Sequence, residues 1–221
     1  GDFVNTGSVS FVETLIGGSD ADTITFTSIA TGQVDLGAGE DKLALGNFLN
    51  NVTVSNVESI SGGSNADTVT LGAQATGSVS IDLGVGADKL VLGDFVNEAT
   101  LSNIETVVGG SGADTVTVAT QLNKTLIDLG AGSDKLTLGD FANNGTITNV
   151  ESLIGGSEAD TITIGSVITT SNSIDLGAGA DKLTLANGAN TGSVSNVEIL
   201  VGGTGADVIT FSTQVSNGSV D

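Results

Sequence analysis

The stretch GGSGADTVT occupies residues 109–117, and close variants of it recur along the chain. The variants are GGSDADTIT at 17–25, GGSNADTVT at 62–70, GGSEADTIT at 155–163 and GGTGADVIT at 202–210. Each copy opens with two glycines and has an aspartate at its sixth position, and in four of the five copies threonine then alternates with an apolar residue. Glycine supplies backbone conformations that other residues avoid, and a period of two is typical of a half-buried strand. The stretch therefore predicts a tight turn that leads directly into a β-strand.

A second series of turns lies between these copies. It consists of DLGAGEDKL at 35–43, DLGVGADKL at 82–90, DLGAGSDKL at 128–136 and DLGAGADKL at 175–183. Each series recurs every 45–47 residues, and self-similarity of this period is typical of a solenoid. We expect residues 1–221 to form a single solenoid array with about 4.7 copies of a 46-residue repeat and nine turns, excerpted from a longer array.

The segment before each double-glycine turn adds further strands. In VSNVESI at 54–60 the apolar residues lie three apart, which predicts two short strands joined by a corner at Asn56. The fold class predicted is all-β, a right-handed parallel β-solenoid of β-roll or β-helix type, its hand following from the general preference of crossovers. We expect coils of about 23 residues, with every Gly/Asp turn in one column on one edge. A glutamate column is predicted on a solvated face: Glu13, Glu58, Glu105, Glu151 and Glu198.

Composition excludes several classes of partner. The chain has 26 acidic residues against five lysines, a formal net charge of −21, so no basic patch for nucleic acid can form. It has no histidine, cysteine or methionine, which excludes the usual zinc, haem and iron–sulfur sites. No apolar run is long enough for a membrane span. Without thiol or imidazole groups, we expect no catalytic role.

Nine aspartates at the exits of nine glycine-rich turns are the strongest functional signal in the chain. Ca²⁺ prefers about six to eight hard oxygen ligands, whereas Mg²⁺ demands a tighter octahedron. Two stacked turns can bring carboxylates and exposed backbone carbonyls around one point, so the pattern favours Ca²⁺. The predicted carboxylate ligands are Asp22, Asp41, Asp67, Asp88, Asp114, Asp134, Asp160, Asp181 and Asp207. The predicted turn ligands are Gly18, Asp20, Gly37, Gly39, Gly63, Asn65, Gly84, Gly86, Gly110, Gly112, Gly130, Gly132, Gly156, Gly177, Gly179, Gly203 and Gly205.

These turns resemble the RTX (repeats-in-toxin) calcium-binding repeats, whose consensus is G-G-x-G-x-D-x-apolar-x. The segments 109–117 and 202–210 match that consensus at every position. The resemblance implies calcium held between successive turns by turn carbonyls and aspartate carboxylates, in secreted or surface-exposed bacterial proteins. The chain departs from the family in three ways. Leucine replaces the first glycine throughout the second series, and Glu158 occupies a position that favours glycine. The spacing is also longer than the family's usual nonapeptide period.

Together these features predict a structural or adhesive protein of the bacterial cell surface or a filament, rigidified by calcium outside the cell. Possible partners besides calcium are further copies, end to end, or other surface components. Two alternatives stay open at this point: a ligand-binding or ice-binding threonine face, and an accessory RTX domain of a secreted hydrolase. A single column of nine turns would enclose up to eight calcium ions, whereas two columns on opposite edges, one for each series, would enclose seven.

Overall fold

The computed structural model describes residues 1–77, 79–213 and 219–220. Over these residues the backbone forms 24 β-strands and no helix. In this part of the chain, accordingly, there is no helix with the length and apolar character needed to cross a membrane. The chain divides into two compact units, Gly1–Gly112 and Ala113–Asp221.

The first unit consists, in its described residues, of strands that alternate between two parallel sheets. The strands are β1 Thr6–Val9, β2 Thr14–Gly18, β3 Thr23–Phe26, β4 Thr31–Gly37, β5 Lys42–Ala44, β6 Asn51–Ser55, β7 Ser59–Gly63, β8 Thr68–Leu71, β9 Val79–Gly84, β10 Lys89–Val91, β11 Glu98–Ser102 and β12 Thr106–Gly110. The odd-numbered strands pair in the order β1-β3-β5-β7-β9-β11, and the even-numbered strands in the order β2-β4-β6-β8-β10-β12. We call these the odd sheet and the even sheet.

The second unit has the same construction over its described residues. Its strands are β13 Thr115–Val118, β14 Asn123–Gly130, β15 Lys135–Thr137, β16 Asn144–Thr148, β17 Ser152–Ile154, β18 Thr161–Ile164, β19 Ser173–Asp175, β20 Lys182–Thr184, β21 Ser193–Ser195, β22 Ile199–Val201, β23 Thr210–Phe211 and β24 Ser219–Val220. Odd-numbered strands again form one parallel sheet and even-numbered strands the other. Each coil of either unit therefore contributes one strand to each sheet.

The ladder register gives the length of a coil directly. In the odd sheet Thr23 pairs with Lys42, and Lys42 pairs in turn with Ser59. In the even sheet Thr68 pairs with Lys89, and Lys89 pairs in turn with Thr106. In both sheets, therefore, a longer coil is followed by a shorter one. The all-β parallel solenoid is thus confirmed, but its coils are shorter than predicted. The right hand of the solenoid stays a prediction.

The prediction that all Gly/Asp turns share one edge is wrong. Asp22 and Asp41 precede β3 and β5 of the odd sheet, whereas Asp67 and Asp88 precede β8 and β10 of the even sheet. The 46-residue repeat contains five strands, or two and a half coils, so consecutive copies enter opposite sheets. The second unit repeats this pattern, with Asp114, Asp134 and Asp207 before odd strands and Asp160 and Asp181 before even strands. The two-column alternative is also wrong, because Asp22 and Asp41 belong to different series yet share an edge.

The corner predicted at Asn56 is confirmed, and it is the feature that shortens the coil. Asn56 has a φ of 52° between β6 and β7, in the left-handed region that asparagine tolerates better than most residues. Its Nδ2 donates to Asp35 Oδ1 of the preceding coil at 2.7 Å. The same left-handed conformation recurs at Asn103, Asn149 and Asn196. Each such corner reverses the chain within the short gap between two strands, without a glycine-rich turn.

The core lies between the two sheets and is built from the inward-facing half of each strand. Its buried side chains are almost entirely leucine, isoleucine and valine, as the period of two predicts. The leucines that replace the first glycine of the second series are part of this core, each fully buried: Leu36, Leu83, Leu129 and Leu176. This departure from the RTX pattern therefore serves packing, while the rest of each turn remains outside the core.

Candidate calcium sites

The turn aspartates point inward at the place where each turn enters its strand. Eight of the nine have at most 1% of their surface exposed, namely Asp22, Asp41, Asp67, Asp88, Asp114, Asp134, Asp160 and Asp181. Asp207 is only half-buried. Carboxylates are almost never buried this completely unless they are paired or bind a metal. Their burial therefore requires a compensating interaction.

Eight of the turn aspartates occur as stacked pairs. The two members of a pair lie on the same edge, and each comes from a different series. The backbone N–H of Asp22 donates to Asp41 Oδ1 at 2.6 Å, and that of Asp67 donates to Asp88 Oδ1 at the same distance. The pairs Asp114–Asp134 and Asp160–Asp181 repeat this bond at 2.7 Å. One carboxylate oxygen of the second aspartate is thus used to satisfy the backbone of the coil before it.

The glycines allow the paired turns to stack backbone against backbone. Gly37 has a φ of 96°, and a Cβ added there would lie 2.0 Å from the carbonyl oxygen of Gly18. The next residue, Ala38, donates its N–H to the same oxygen at 2.8 Å. Predicted site glycines with positive φ are Gly37, Gly39, Gly84, Gly130, Gly132, Gly177, Gly179 and Gly205. Predicted site glycines where an added Cβ would come within 3 Å of backbone in the neighbouring turn are Gly18, Gly63, Gly86, Gly110, Gly112, Gly156 and Gly203.

The structure separates the two other predicted turn ligands from the buried aspartates. The side chains of Asp20 and Asn65 are exposed, whereas Asp22 and Asp67 of the same turns are buried. The Asn65 amide donates to the backbone carbonyl of Asn47 in the turn stacked before it. The backbone of these two residues lies against the turn that follows, where a Cβ added at Gly39 or Gly86 would come within 3 Å of it.

A second carboxylate oxygen is left without a hydrogen-bond donor in most of these side chains. The buried Oδ2 atom has no hydrogen-bond partner in Asp41, Asp67, Asp88, Asp134, Asp160 and Asp181. Burial raises the pKa of Asp88, Asp134 and Asp181 to about 6, although a backbone N–H bond opposes the rise. Burial also raises the pKa of Asp41 and Asp160. An unpaired buried carboxylate is costly, and a bound cation is one way to remove that cost.

These donors fit calcium in their chemistry. Each pair offers two carboxylates, which are hard anionic ligands. The turns beside them stack closely, so no side chain covers their backbone carbonyls, and Ca²⁺ binds both kinds of oxygen. Within the described ranges, no group of three or more acidic, imidazole or thiol side chains is placed to hold a metal ion. A calcium site here must therefore combine the paired carboxylates with backbone oxygens.

Comparison with known proteins bears directly on these turns. The family model described as RTX calcium-binding nonapeptide repeat matches residues 101–117 and 195–210. Both segments end in a double-glycine turn and the strand that follows its aspartate. These segments are RTX calcium-binding repeats. No curated protein and no solved structure matches the chain, so the RTX repeats themselves are what links it to known proteins.

Sequence reasoning missed two further kinds of residue at the RTX repeats. The first is a buried asparagine one short coil before the first aspartate of a pair, such as Asn50 before Asp67. The second is the glutamate column, which is half-buried at Glu58, Glu105, Glu151 and Glu198 and is solvated, as predicted, only at Glu13. The available signal was a constant spacing, because Asn50 precedes Asp67 by the same interval as Asp41 precedes Glu58. That interval equals the short coil of the solenoid, which is known only once the ladders are seen.

Proposed function

We propose that this RTX β-solenoid is a structural or adhesive segment of an extracellular bacterial surface protein or filament, rigidified by calcium. The observation that carries the proposal is the stacking of the aspartates in pairs, together with the buried Oδ2 atoms that have no hydrogen-bond partner in Asp41, Asp67, Asp88, Asp134, Asp160 and Asp181. We assign the segment no catalytic role. Its buried groups are suited to holding a cation and thereby fastening one coil to the next.

The charge of the chain supports calcium as part of the folded state. A formal net charge of −21 opposes compaction when no cation is bound. A metal that binds the folded chain and not the unfolded one adds its binding free energy to folding. Extracellular protein sites work with calcium affinities of about 10⁻⁴–10⁻³ M. Such sites would stay empty in the cytosol and fill outside the cell, which suits secretion before folding.

The pairing of the turns lowers the expected number of ions. Eight of the nine turns form four stacked pairs, Asp22–Asp41, Asp67–Asp88, Asp114–Asp134 and Asp160–Asp181. Each pair encloses one gap between two Gly/Asp turns. We therefore propose four calcium ions at these gaps, in place of the eight or seven expected from a single column or from two.

The threonine-face alternative has less support. In the odd sheet, Lys42 lies between Thr23 and Ser59 in one outward row. In the even sheet, Lys89 lies between Thr68 and Thr106. A lysine within each row interrupts the flat, uncharged surface that an ordered layer of water would need. We do not propose ice binding.

Calcium is expected to convert the chelator-treated chain from a largely disordered state to β-structure, because the buried carboxylates then gain their counter-ion. Far-UV circular dichroism during a calcium titration measures the change, and magnesium at equal concentration serves as the control. Magnesium should produce little change because it dehydrates reluctantly and demands a strict octahedron. A spectrum that is fully β in excess chelator, and unchanged by calcium, would contradict the proposal.

A further inference from the structure

Each aspartate pair is followed, one short coil later, by a glutamate on the same edge. Glu58 Oε2 accepts the backbone N–H of Asp41 at 2.7 Å, and Glu105 Oε2 accepts that of Asp88 at 2.8 Å. The same bond joins Glu151 to Asp134 and Glu198 to Asp181, at 2.9 and 2.8 Å. The glutamate thus replaces a third Asp turn: its longer side chain reaches back from the asparagine corner to the N–H that an aspartate would otherwise accept.

Within one unit, the coil that precedes a pair supplies an asparagine to its first aspartate; Asn50 and Asn143 are buried, and Asn5 is exposed. Asn50 donates both its backbone N–H and its Nδ2 to Asp67 Oδ1, at 3.0 and 2.8 Å. Asn143 makes the same two bonds to Asp160, at 2.9 and 3.0 Å. In Asp160 these two donors oppose the rise in pKa that burial causes. In keeping with this, hydrogen bonds from Asn190 lower the pKa of Asp207.

The asparagine is itself held rigidly from both sides. The Nδ2 of Asn50 also donates to the carbonyl of Phe48 in its own turn, at 2.8 Å. Its Oδ1 accepts the N–H of Ala30 in the coil before, at 2.8 Å. Asn50 is 1% exposed, so this amide is fully engaged inside the solenoid. It positions the first aspartate, and its neutral amide keeps a third carboxylate out of the stack.

The chain of side-chain hydrogen bonds ends after the glutamate. The backbone N–H of Glu58 donates to the carbonyl of Asp41 instead, at 3.2 Å, and needs no acceptor from the next coil. The register of that coil places Val79 opposite Glu58, and the valine side chain has no acceptor to offer. In the same coil, the Ala75 N–H donates to Asn97 Oδ1 at 3.0 Å. In the first unit the ladder is therefore interrupted between Glu58 and the coil that follows it.

We infer that, in the folded chain, each aspartate pair is a separate calcium-binding module that holds its ion without help from the other modules. The inference rests on the proposed calcium binding and concerns how the sites are divided. Within the first unit the module of Asp22 and Asp41 lies on the edge that enters the odd sheet. The module of Asp67 and Asp88 lies on the edge that enters the even sheet. Asparagine and glutamate act as positioning residues, through the aspartates.

The test is to disable one module in the full chain and count the remaining ions. The variant Asp67→Asn/Asp88→Asn keeps an amide oxygen for each backbone N–H but removes both carboxylates. Equilibrium dialysis with elemental analysis should detect one calcium ion fewer per chain, and the titration midpoint of the others should change less than about two-fold. Asp94→Asn/Glu98→Gln is the matched control, since it removes two exposed carboxylates from the same unit and should lose no ion. If the double variant fails to fold, Asp88→Asn alone makes the same test.

The positioning role has its own readout. Glu105→Gln retains a carbonyl acceptor for the Asp88 N–H and should leave the calcium midpoint of its module unchanged. Glu105→Ala removes the acceptor and should weaken that module about ten-fold, the effect of losing one hydrogen bond, with the other midpoints unaffected. Loss of the ion in Glu105→Gln would make the glutamate a ligand and overturn the positioning assignment.

The outcomes separate this inference from the proposed function. A wild-type chain that binds no calcium contradicts calcium binding itself. A wild-type chain that binds calcium, while the Asp67/Asp88 variant loses two or more ions or shifts the midpoints of the other modules, contradicts only the division into modules. Loss of one ion with unchanged midpoints supports both.

Discussion

Gly62→Ala is expected to destabilise the calcium-loaded chain by about 3 kcal/mol, the upper end of the cost of overpacking. A Cβ at residue 62 would lie 2.2 Å from the carbonyl oxygen of Leu83 in the next coil and 2.7 Å from Asp67 Oδ2. The first of these atoms belongs to the backbone of the stacked turn, so it cannot rotate away. The change therefore forces apart the two turns that hold the Asp67–Asp88 pair.

Thermal or denaturant unfolding in saturating calcium measures this effect, and Gly7→Ala is the matched control. Gly7 lies in β1, and a Cβ added there would meet no atom within 4 Å. Neither glycine has a positive φ, so the two variants differ in the space available rather than in backbone preference. Equal stability for the two variants would contradict the close stacking of the turns.

Raising the pH from 5 to 7.5 is expected to destabilise the chain in chelator and to increase the stabilisation that calcium provides. Burial raises the pKa of Asp88, Asp134 and Asp181 from 3.8 to about 6. As the pH rises from about 4 through 6, the unfolded chain releases these protons first, so folding stability falls. Above pH 6 the loss is on the order of 3 kcal/mol for each such carboxyl in the absence of metal. The chain has no histidine, the residue that ordinarily titrates in this window.

Asp88→Asn isolates the contribution of one of these groups. The amide is an isostere of the protonated carboxyl and keeps an oxygen for the Asp67 N–H. In chelator at pH 7.5 the variant should retain more β-structure than the wild type, and at pH 5 the two should melt at similar temperatures. In calcium at pH 7.5 the order should reverse, because the wild type alone keeps the ion of that pair. A variant that is less stable than the wild type in chelator at pH 7.5 would show that the buried charge is compensated within the protein.

Local patterns in the sequence predicted the solenoid and its RTX turns because each depends on neighbours along the chain. Alternation after Asp41 specifies a strand with one buried face, and a Gly-rich turn before an aspartate specifies a reversal, whatever lies elsewhere. The corner at Asn56 was predicted on the same basis, as two strands separated by one residue with special geometry. These turns, strands and corners are all present in the folded chain, and the strands are short.

The arrangement of the RTX turns around the solenoid was decided by tertiary structure alone. The segment from Asp41 to Asp67 resembles one long coil in the sequence, but it contains three strands because the Asn56 corner reverses the chain as completely as a glycine turn does. Each sequence repeat spans two and a half coils, so a given turn returns to the same edge only after two repeats, or five coils. Partners such as Asn50 for Asp67, and Glu58 for Asp41, therefore cannot be found from the sequence period alone. They lie one coil apart in space, and only the register of the parallel ladders determines which residues a coil brings together.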